Sequence, residues 1–464
     1  MENSPSLYAI LDDDWVLRGW DGVECALVNW HTNEMEYLLP DERHVLKSCD
    51  GLCDFSSALF LPIHRALLAR YMERGIARRC GRGECTLHPA QAYRRAACPM
   101  TKSVLWSITN NCNFRCRHCY MESPRRAYRE LARDEVFAIL DKLEAGNVPD
   151  ISFTGGEPLL RPELMELLRR MREKHINFTE IFSNASLITD TLLDDIEAIG
   201  YKPDFKVSFD CIGTHNYMRG VPFAEEHTLR GIRTLTRRGY KVIIISSVDS
   251  VVLPQIPRTL DALIDLGVDS WWISPPVEVG VWKGSSTKSG LRETVSALEN
   301  LARLWVERGR PIDLLLWFFG VFQRSGSDRL HVGNGRLFTP DGYECLAAHY
   351  YPYIAPDGRL LPCGSYIGTG IAKPLPSLLE CSFEEAWSDA SLRRYCDMKK
   401  DEILASSQPC RGCAHFPDCG GGCRISAYSE TGAFMNREAT KCALFRGGFY
   451  DRFIEYVEGL VAHG

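Results

Sequence analysis

Cys112, Cys116 and Cys119 form a C-x3-C-x2-C set directly after the apolar run SVLWSIT at 103–109. Three thiolates at this spacing can hold three of the four irons of a [4Fe–4S] cluster. The fourth iron then lacks a protein ligand and stands open to a chelating molecule. The competing reading is a zinc site that takes a further donor, such as His118. The chain has nineteen cysteines in 464 residues, and its N-terminal stretch MENSPSLYAILDDDW has no basic-then-apolar signature of an export signal. That combination points to metal or redox chemistry rather than disulfides.

The elements that must position these sulfurs repeat regularly. Strand-like runs at 103–109, 150–155, 178–184, 205–210, 241–248 and 269–275 alternate with helical patterns near 133–146, 161–175, 189–199, 225–239, 254–267 and 291–309. Thr189 and Asp190 read as helix starts, and Gly200, Gly239 and Gly267 as helix stops. Six such units predict an α/β fold with a parallel sheet and helices outside it. An open doubly wound sheet and a partial barrel satisfy the pattern equally. The run LLLWFFGVF at 314–322 is too short to cross a bilayer and reads as a buried strand or helix. A net charge of −6 and a pI near 6.1 lack the basic footprint of a nucleic-acid binder. The expectation is a cytoplasmic protein with no membrane and no nucleic-acid partner.

The cysteine set, with His118 before its last sulfur, resembles the signature of the radical S-adenosylmethionine (SAM) superfamily. Thr154-Gly155-Gly156-Glu157-Pro158 resembles that family's GGEP motif, one βα unit further on. The resemblance implies a partial (β/α)6 barrel over about 102–310, with the site at the C-terminal strand ends. It implies that SAM chelates the open iron and is split reductively to a 5′-deoxyadenosyl radical. Gly155 and Gly156 would let the backbone approach the methionine amino group, and Glu157 would accept from it. Ser183, beside Asn184, would help line the cofactor site, Ser208 would contact ribose, and Arg219 would pair with the methionine carboxylate. His215 and Gly220 belong to the same region. Cys211 departs from the family, where glycine follows the aspartate.

A second set resembles the SPASM extension of radical enzymes that act on peptides: Cys345-x12-Gly358-x4-Cys363, then Cys410-x2-Cys413-x5-Cys419-x3-Cys423, then Cys442. Pro356-Asp357-Gly358 reads as a hairpin turn that brings Cys345 and Cys363 together. By the family pattern Cys410, Cys413, Cys419 and Cys442 hold one auxiliary [4Fe–4S] cluster. Cys345, Cys363 and Cys423 hold another, its fourth position open or filled by Cys381, Cys396 or another group. The implied cofactors are thus SAM and three [4Fe–4S] clusters, one binding SAM and two auxiliary. Cys25, Cys49, Cys53, Cys80, Cys85 and Cys98 fit no pattern and read as ordinary thiols.

Residues 1–90 contain three strand-like runs (WVLRGW, CALVNWH, MEYLL) and two helical patterns, a small winged-helix-like α+β module. It resembles the PqqD-type leader-recognition element. There Met35 to Leu39 would be an edge strand that accepts a leader peptide, and Arg65, Arg70 and Arg74 would attract an acidic leader. The expected order is 1–90 leader recognition, 91–101 linker, 102–310 barrel, 311–344 bridge, 345–445 SPASM domain and 446–464 C-terminal helix. Together these imply crosslinking of a ribosomally made precursor peptide, thioether in preference to carbon–carbon, with a reducing donor such as flavodoxin or ferredoxin. The rivals are a sulfatase-type maturase, a quinone-cofactor precursor enzyme and, outside catalysis, a zinc-bound peptide scaffold. No residue is assigned as general base, although Asp210 and His349 lie near the expected clusters.

Overall fold

The computed structural model describes residues 6–122, 128–332 and 342–463. The N-terminal module is built from β1 (Tyr8–Leu11), β2 (Trp15–Asp21), β3 (Val23–Asn29), β4 (Met35–Tyr37), α1 (Pro40–Lys47), α2 (Pro62–Glu73) and β5 (Ala77–Cys80). β1 pairs with β5 as a separate ribbon. The main sheet runs β4-β3-β2-β6, with β4 at one edge. Its last strand, β6 (Arg94–Pro99), pairs in parallel with β2, so the segment expected as a linker is part of the sheet.

Alternation along β2 and β3 explains why this sheet is buried on both faces. Trp15, Leu17, Cys25 and Leu27 point to a local core with α1 and α2. Their neighbours Val16, Trp20, Ala26 and Val28 join the core of the following domain. Side chains of period two serve two cores at once.

The central domain carries β7 (Val104–Ser107), α3 (Arg133–Ala145), β8 (Ile151–Thr154), α4 (Leu164–Glu173), β9 (Glu180–Ser183), α5 (Asp190–Ile199) and β10 (Asp204–Ser208). There follow α6 (His215–Arg219), α7 (Ala224–Arg237), β11 (Val242–Ser247), α8 (Ile256–Asp265), β12 (Ser270–Ser274), α9 (Leu291–Glu307), β13 (Asp313–Leu316), β14 (Gly320–Phe322) and β15 (His331–Val332). All six expected strands are present, in sequential parallel order. The sheet continues further than six units: β13 adds in parallel to β12, and β14 and β15 return antiparallel. The apolar run 314–322 therefore supplies a strand pair. Thr189 caps α5 through its side chain, and Gly200 closes that helix in the left-handed conformation.

The C-terminal module begins with α10 (Leu346–Tyr350), β16 (Tyr353–Ile354) and β17 (Leu360–Leu361). The Pro356–Gly358 turn joins the last two as an antiparallel pair. β16 also pairs in parallel with β7 on the far side of the barrel sheet, so the module is fused to the barrel through backbone hydrogen bonds. Seven helices follow: α11 (Phe383–Ser388), α12 (Ala390–Cys396), α13 (Lys400–Ser406), α14 (Phe416–Cys419), α15 (Arg424–Thr431), α16 (Ala439–Arg446) and α17 (Phe449–His463). Among the described residues the sheet ends in two free edges, β15 and β17. No helix of the described residues is long and apolar enough to cross a membrane.

Candidate active site and cluster ligands

The loop after β7 carries the three cysteines, and two neighbours hold its backbone. The amides of Arg115 and Arg117 donate to the carbonyls of Arg219 and Met218 at 3.0 and 2.9 Å. From the other side, Gly156 N donates to Thr109 O at 2.9 Å and Glu157 N to Asn111 O at 2.8 Å. A Cβ on Gly155 would lie 2.5 Å from Thr109 O, and one on Gly156 would overlap Asn111 O. The glycine pair is thus required first for docking the cysteine loop, a closer reason than approach to a ligand. Gly220, at φ +64°, meets the Arg115 carbonyl in the same way.

These contacts border a cavity of about 310 Å³ lined by Cys112, Cys116, Cys119, Gly155, Gly156, Ser183, Asn184, Ser208 and Arg219. Every residue expected at the cofactor site faces it except Glu157. Glu157 is fully buried beneath. It accepts from Ser183 Oγ and Asn184 N, both at 2.8 Å, and from Leu159 N at 3.2 Å. Burial pushes its carboxyl up to about 7 against these donors. Its oxygens orient Ser183 and Asn184 rather than reach into the cavity.

Arg219 also differs from expectation. Its Nε stands 2.6 Å from Asp210 Oδ2, and its Nη1 donates to Cys116 Sγ at 3.5 Å. Burial opposes the charge on Asp210, yet the Arg219 guanidinium and the Ser247 amide hold that carboxyl below its ordinary value. His215 accepts from Asp210 N through Nδ1 at 2.9 Å. Burial lowers it to about 3, so it is neutral. His349 pairs with Asp397 at 2.7 Å and stacks on Tyr343. Neither Asp210 nor His349 is a free base.

Sequence reasoning missed Tyr120, Phe182, Ile245 and Ser247, which line the cavity together with Leu105, Phe114 and Met121. The signal was present in part: β10 (DFKVS) alternates polar and apolar residues and so sets Ser208 on the polar face, but β11 (VIIISS) has no such alternation to mark Ile245.

In the C-terminal module Cys410, Cys413, Cys419 and Cys442 line a single small cavity. Cys345 and Cys423 lie close enough to Cys363 to raise its thiol further, after burial. Among the described residues, no three His, Cys, Asp or Glu side chains converge as ligands of one ion do. Cys410, Cys413, Cys419 and Cys442 border one shared space, the arrangement that a cluster held by all four would need. Burial pushes Cys112 up to about 12. Such thiols give up their protons when a metal takes their place.

A family model described as the radical SAM superfamily matches residues 106–270. The Fe-coproporphyrin III synthase of Methanosarcina barkeri is 32% identical over 350 residues, 71% of this chain and 84% of that one. The chain belongs to the radical SAM superfamily. This radical SAM protein is therefore an enzyme, and it uses SAM with an iron–sulfur cluster. The PqqA peptide cyclase of Granulibacter bethesdensis is 26% identical over 356 residues, 74% of this chain and 87% of that one. Among solved structures, SuiB of Streptococcus suis bound to the precursor peptide SuiA matches with a TM-score of 0.62 at 17% identity, covering 94% of this chain and 99% of that one. At that identity the likeness is one of fold.

Proposed function

We propose that this radical SAM enzyme matures a ribosomally made precursor peptide by closing a crosslink, a thioether between a cysteine sulfur and a carbon. The observation that carries the reading is the N-terminal module. β4 is a sheet edge, and in the same module Leu39 at the start of α1 and Leu59, Leu61 and Ile63 around the start of α2 are 51–81% exposed. A free edge and exposed apolar side chains in one module suit an added peptide strand. The SuiB likeness spans this module as well as the barrel, whereas the curated relatives reported above match 71–74% of the chain.

The arginines do not support an acidic leader. Arg65 donates to Phe55 O and Phe60 O. Arg70 pairs with Glu42, and Arg74 with Glu36. An apolar leader segment fits the surface better.

In this reading Cys112, Cys116 and Cys119 hold the SAM-binding cluster. Cys410, Cys413, Cys419 and Cys442 hold one auxiliary cluster, and Cys345, Cys363 and Cys423 hold the other. When bound, the first cluster supplies the electron that splits SAM and frees the 5′-deoxyadenosyl radical. The chain's own part is positional. Glu157 fixes Ser183 and Asn184 at the cavity wall, Gly155 and Gly156 seat the cysteine loop, and Arg219 ties Cys116 to Asp210. A reducing donor such as flavodoxin or ferredoxin completes the system.

The test is anaerobic incubation with SAM, dithionite and any short Cys-containing peptide found encoded beside this gene. The expected product is lighter by two hydrogens per ring and resists thiol alkylation at the joined cysteine. A product that loses two hydrogens yet keeps an alkylatable cysteine indicates a carbon–carbon link. An unchanged peptide, with 5′-deoxyadenosine still formed, removes the peptide reading. A second reading, tetrapyrrole side-chain chemistry, is favoured by the Fe-coproporphyrin III synthase relative. It predicts that the full chain forms 5′-deoxyadenosine with an iron porphyrin and no peptide present.

A further inference from the structure

The cofactor cavity is walled by the C-terminal ends of β8, β9, β10 and β11, at Thr154, Ser183, Ser208 and Ser247. Beyond it on the same rim, the ends of β11, β12 and β13 surround a second cavity of about 140 Å³. A connecting space joins the two. It shares His118, Tyr120 and Ser247 with the first and Pro275, Pro276 and Val277 with the second.

The walls of the second cavity decide what it can take. Trp317 and Phe318, which follow β13, line it together with Trp282. Trp317 is 41% exposed, although Trp282 and Phe318 are buried. The carboxylates nearby are already engaged. Glu278 pairs with Lys288 at 2.7 Å. Glu430 accepts from Ala439 N and Thr440 Oγ1 at the start of α16, and Glu438 accepts from Cys423 N at 2.7 Å. What the cavity offers an incoming group is therefore chiefly apolar, the exposed face of Trp317 with Val248, Pro275, Pro276 and Val277, beside the hydroxyl groups of Ser289 and Ser426.

We propose that this cavity receives an aromatic side chain of the substrate, held between Trp317, Trp282 and Phe318 next in line to the reacting residue. This deepens the peptide reading above and rests on it. Two tryptophans and a phenylalanine present edges and faces that favour another ring beyond its simple burial. Continuity with the cofactor cavity makes the occupant part of the molecule under attack.

The probes are the N-acetyl amides of phenylalanine, leucine, aspartate and lysine, titrated by saturation-transfer-difference NMR against the reconstituted full chain. The phenylalanine amide is expected to bind about tenfold more tightly than the aspartate amide. Trp317→Ala removes the wall, and Val277→Trp fills the space. Each is expected to abolish the phenylalanine preference, so misfolding of one variant leaves the other to decide. Equal affinity for all four amides, or a preference intact in both variants, overturns the assignment. The experiment needs neither reductant nor precursor peptide. A chain that fails to modify peptides while keeping the aromatic preference would sink the proposed function and leave this site standing.

Discussion

Arg219 bridges Asp210 and the sulfur of Cys116, with Nε 2.6 Å from the carboxylate and Nη1 3.5 Å from Sγ. Both members of the ion pair are buried. One guanidinium thereby links the turn after β10 to the cysteine loop after β7. Asp210→Asn leaves the buried guanidinium uncompensated and should destabilise the fold by about 3–5 kcal/mol, read by urea denaturation. Arg219→Lys keeps the charge but not the fork. It should alter the electron paramagnetic resonance spectrum of the first cluster, and an unchanged spectrum would disconnect Arg219 from Cys116.

Gly156→Ala tests the docking of the cysteine loop. Its new methyl would strike Asn111 O, which is backbone and cannot swing aside. Bound iron should drop by about four atoms per chain, one cluster's worth, and 5′-deoxyadenosine formation should vanish. Retention of full iron would mean that the loop docks some other way.

Glu157 and Asp150 give stability a pH dependence. Burial raises each to about 7, from 4.5 and 3.8 respectively. A carboxyl raised on folding binds its proton more tightly in the folded state. Its contribution is intact below the unfolded value and is lost as pH rises toward 7. Stability should therefore fall between about pH 4 and 7, by up to about 3 kcal/mol for Glu157 and about 4 kcal/mol for Asp150. Glu157→Gln should flatten part of that slope in denaturant titrations across this range.

Cys396 is placed better than Cys381 as a fourth ligand of the cluster proposed on Cys345, Cys363 and Cys423. Cys381 donates to Ser377 O, and the charges that act on it belong to Glu385, Lys142, Glu380 and Asp389. Cys396 is buried, with Cys345 among the groups acting on it. Glu344 N also donates to Met398 O at 2.8 Å, which sets the two cysteine segments side by side. Cys396→Ala should change the auxiliary-cluster resonance, and Cys381→Ala should not. The reverse pattern would exclude Cys396.

Leader binding should follow the leucines and not the arginines. Leu61→Asp should weaken capture of the precursor peptide by about tenfold, near 1.4 kcal/mol, whereas Arg70→Ala should change it by less than about twofold. Fluorescence anisotropy with a labelled leader separates the two. A larger effect at Arg70 would restore the acidic-leader idea.

Strands β7 to β12 and their helices were legible because apolar runs alternate with amphipathic stretches, with a side-chain cap at Thr189 of α5 to mark one start. The cysteine sets were legible because metal chemistry fixes spacing along the chain. Partnerships across the fold were not. Nothing in the sequence around Arg219 names Asp210 as its partner, and nothing in 91–101 announces pairing with β2, because a parallel partner is distant in sequence. Cys211 shows both sides. Its departure from glycine was visible, but only the structure shows it holding the left-handed conformation, at φ 63°, which glycine adopts without strain.

The fusion of the N-terminal sheet to the barrel sets a length scale. Asn147, just past α3, donates to both Gly19 O and Arg94 O. Arg94 pairs with Glu144, and Trp30 stacks on His175. A peptide gripped at β4 is consequently held by a rigid body, at a fixed span from the radical's origin. The number of residues between the grip and the altered position then acts as a ruler. Lengthening that stretch of the peptide would move the modification along it, instead of merely slowing the reaction.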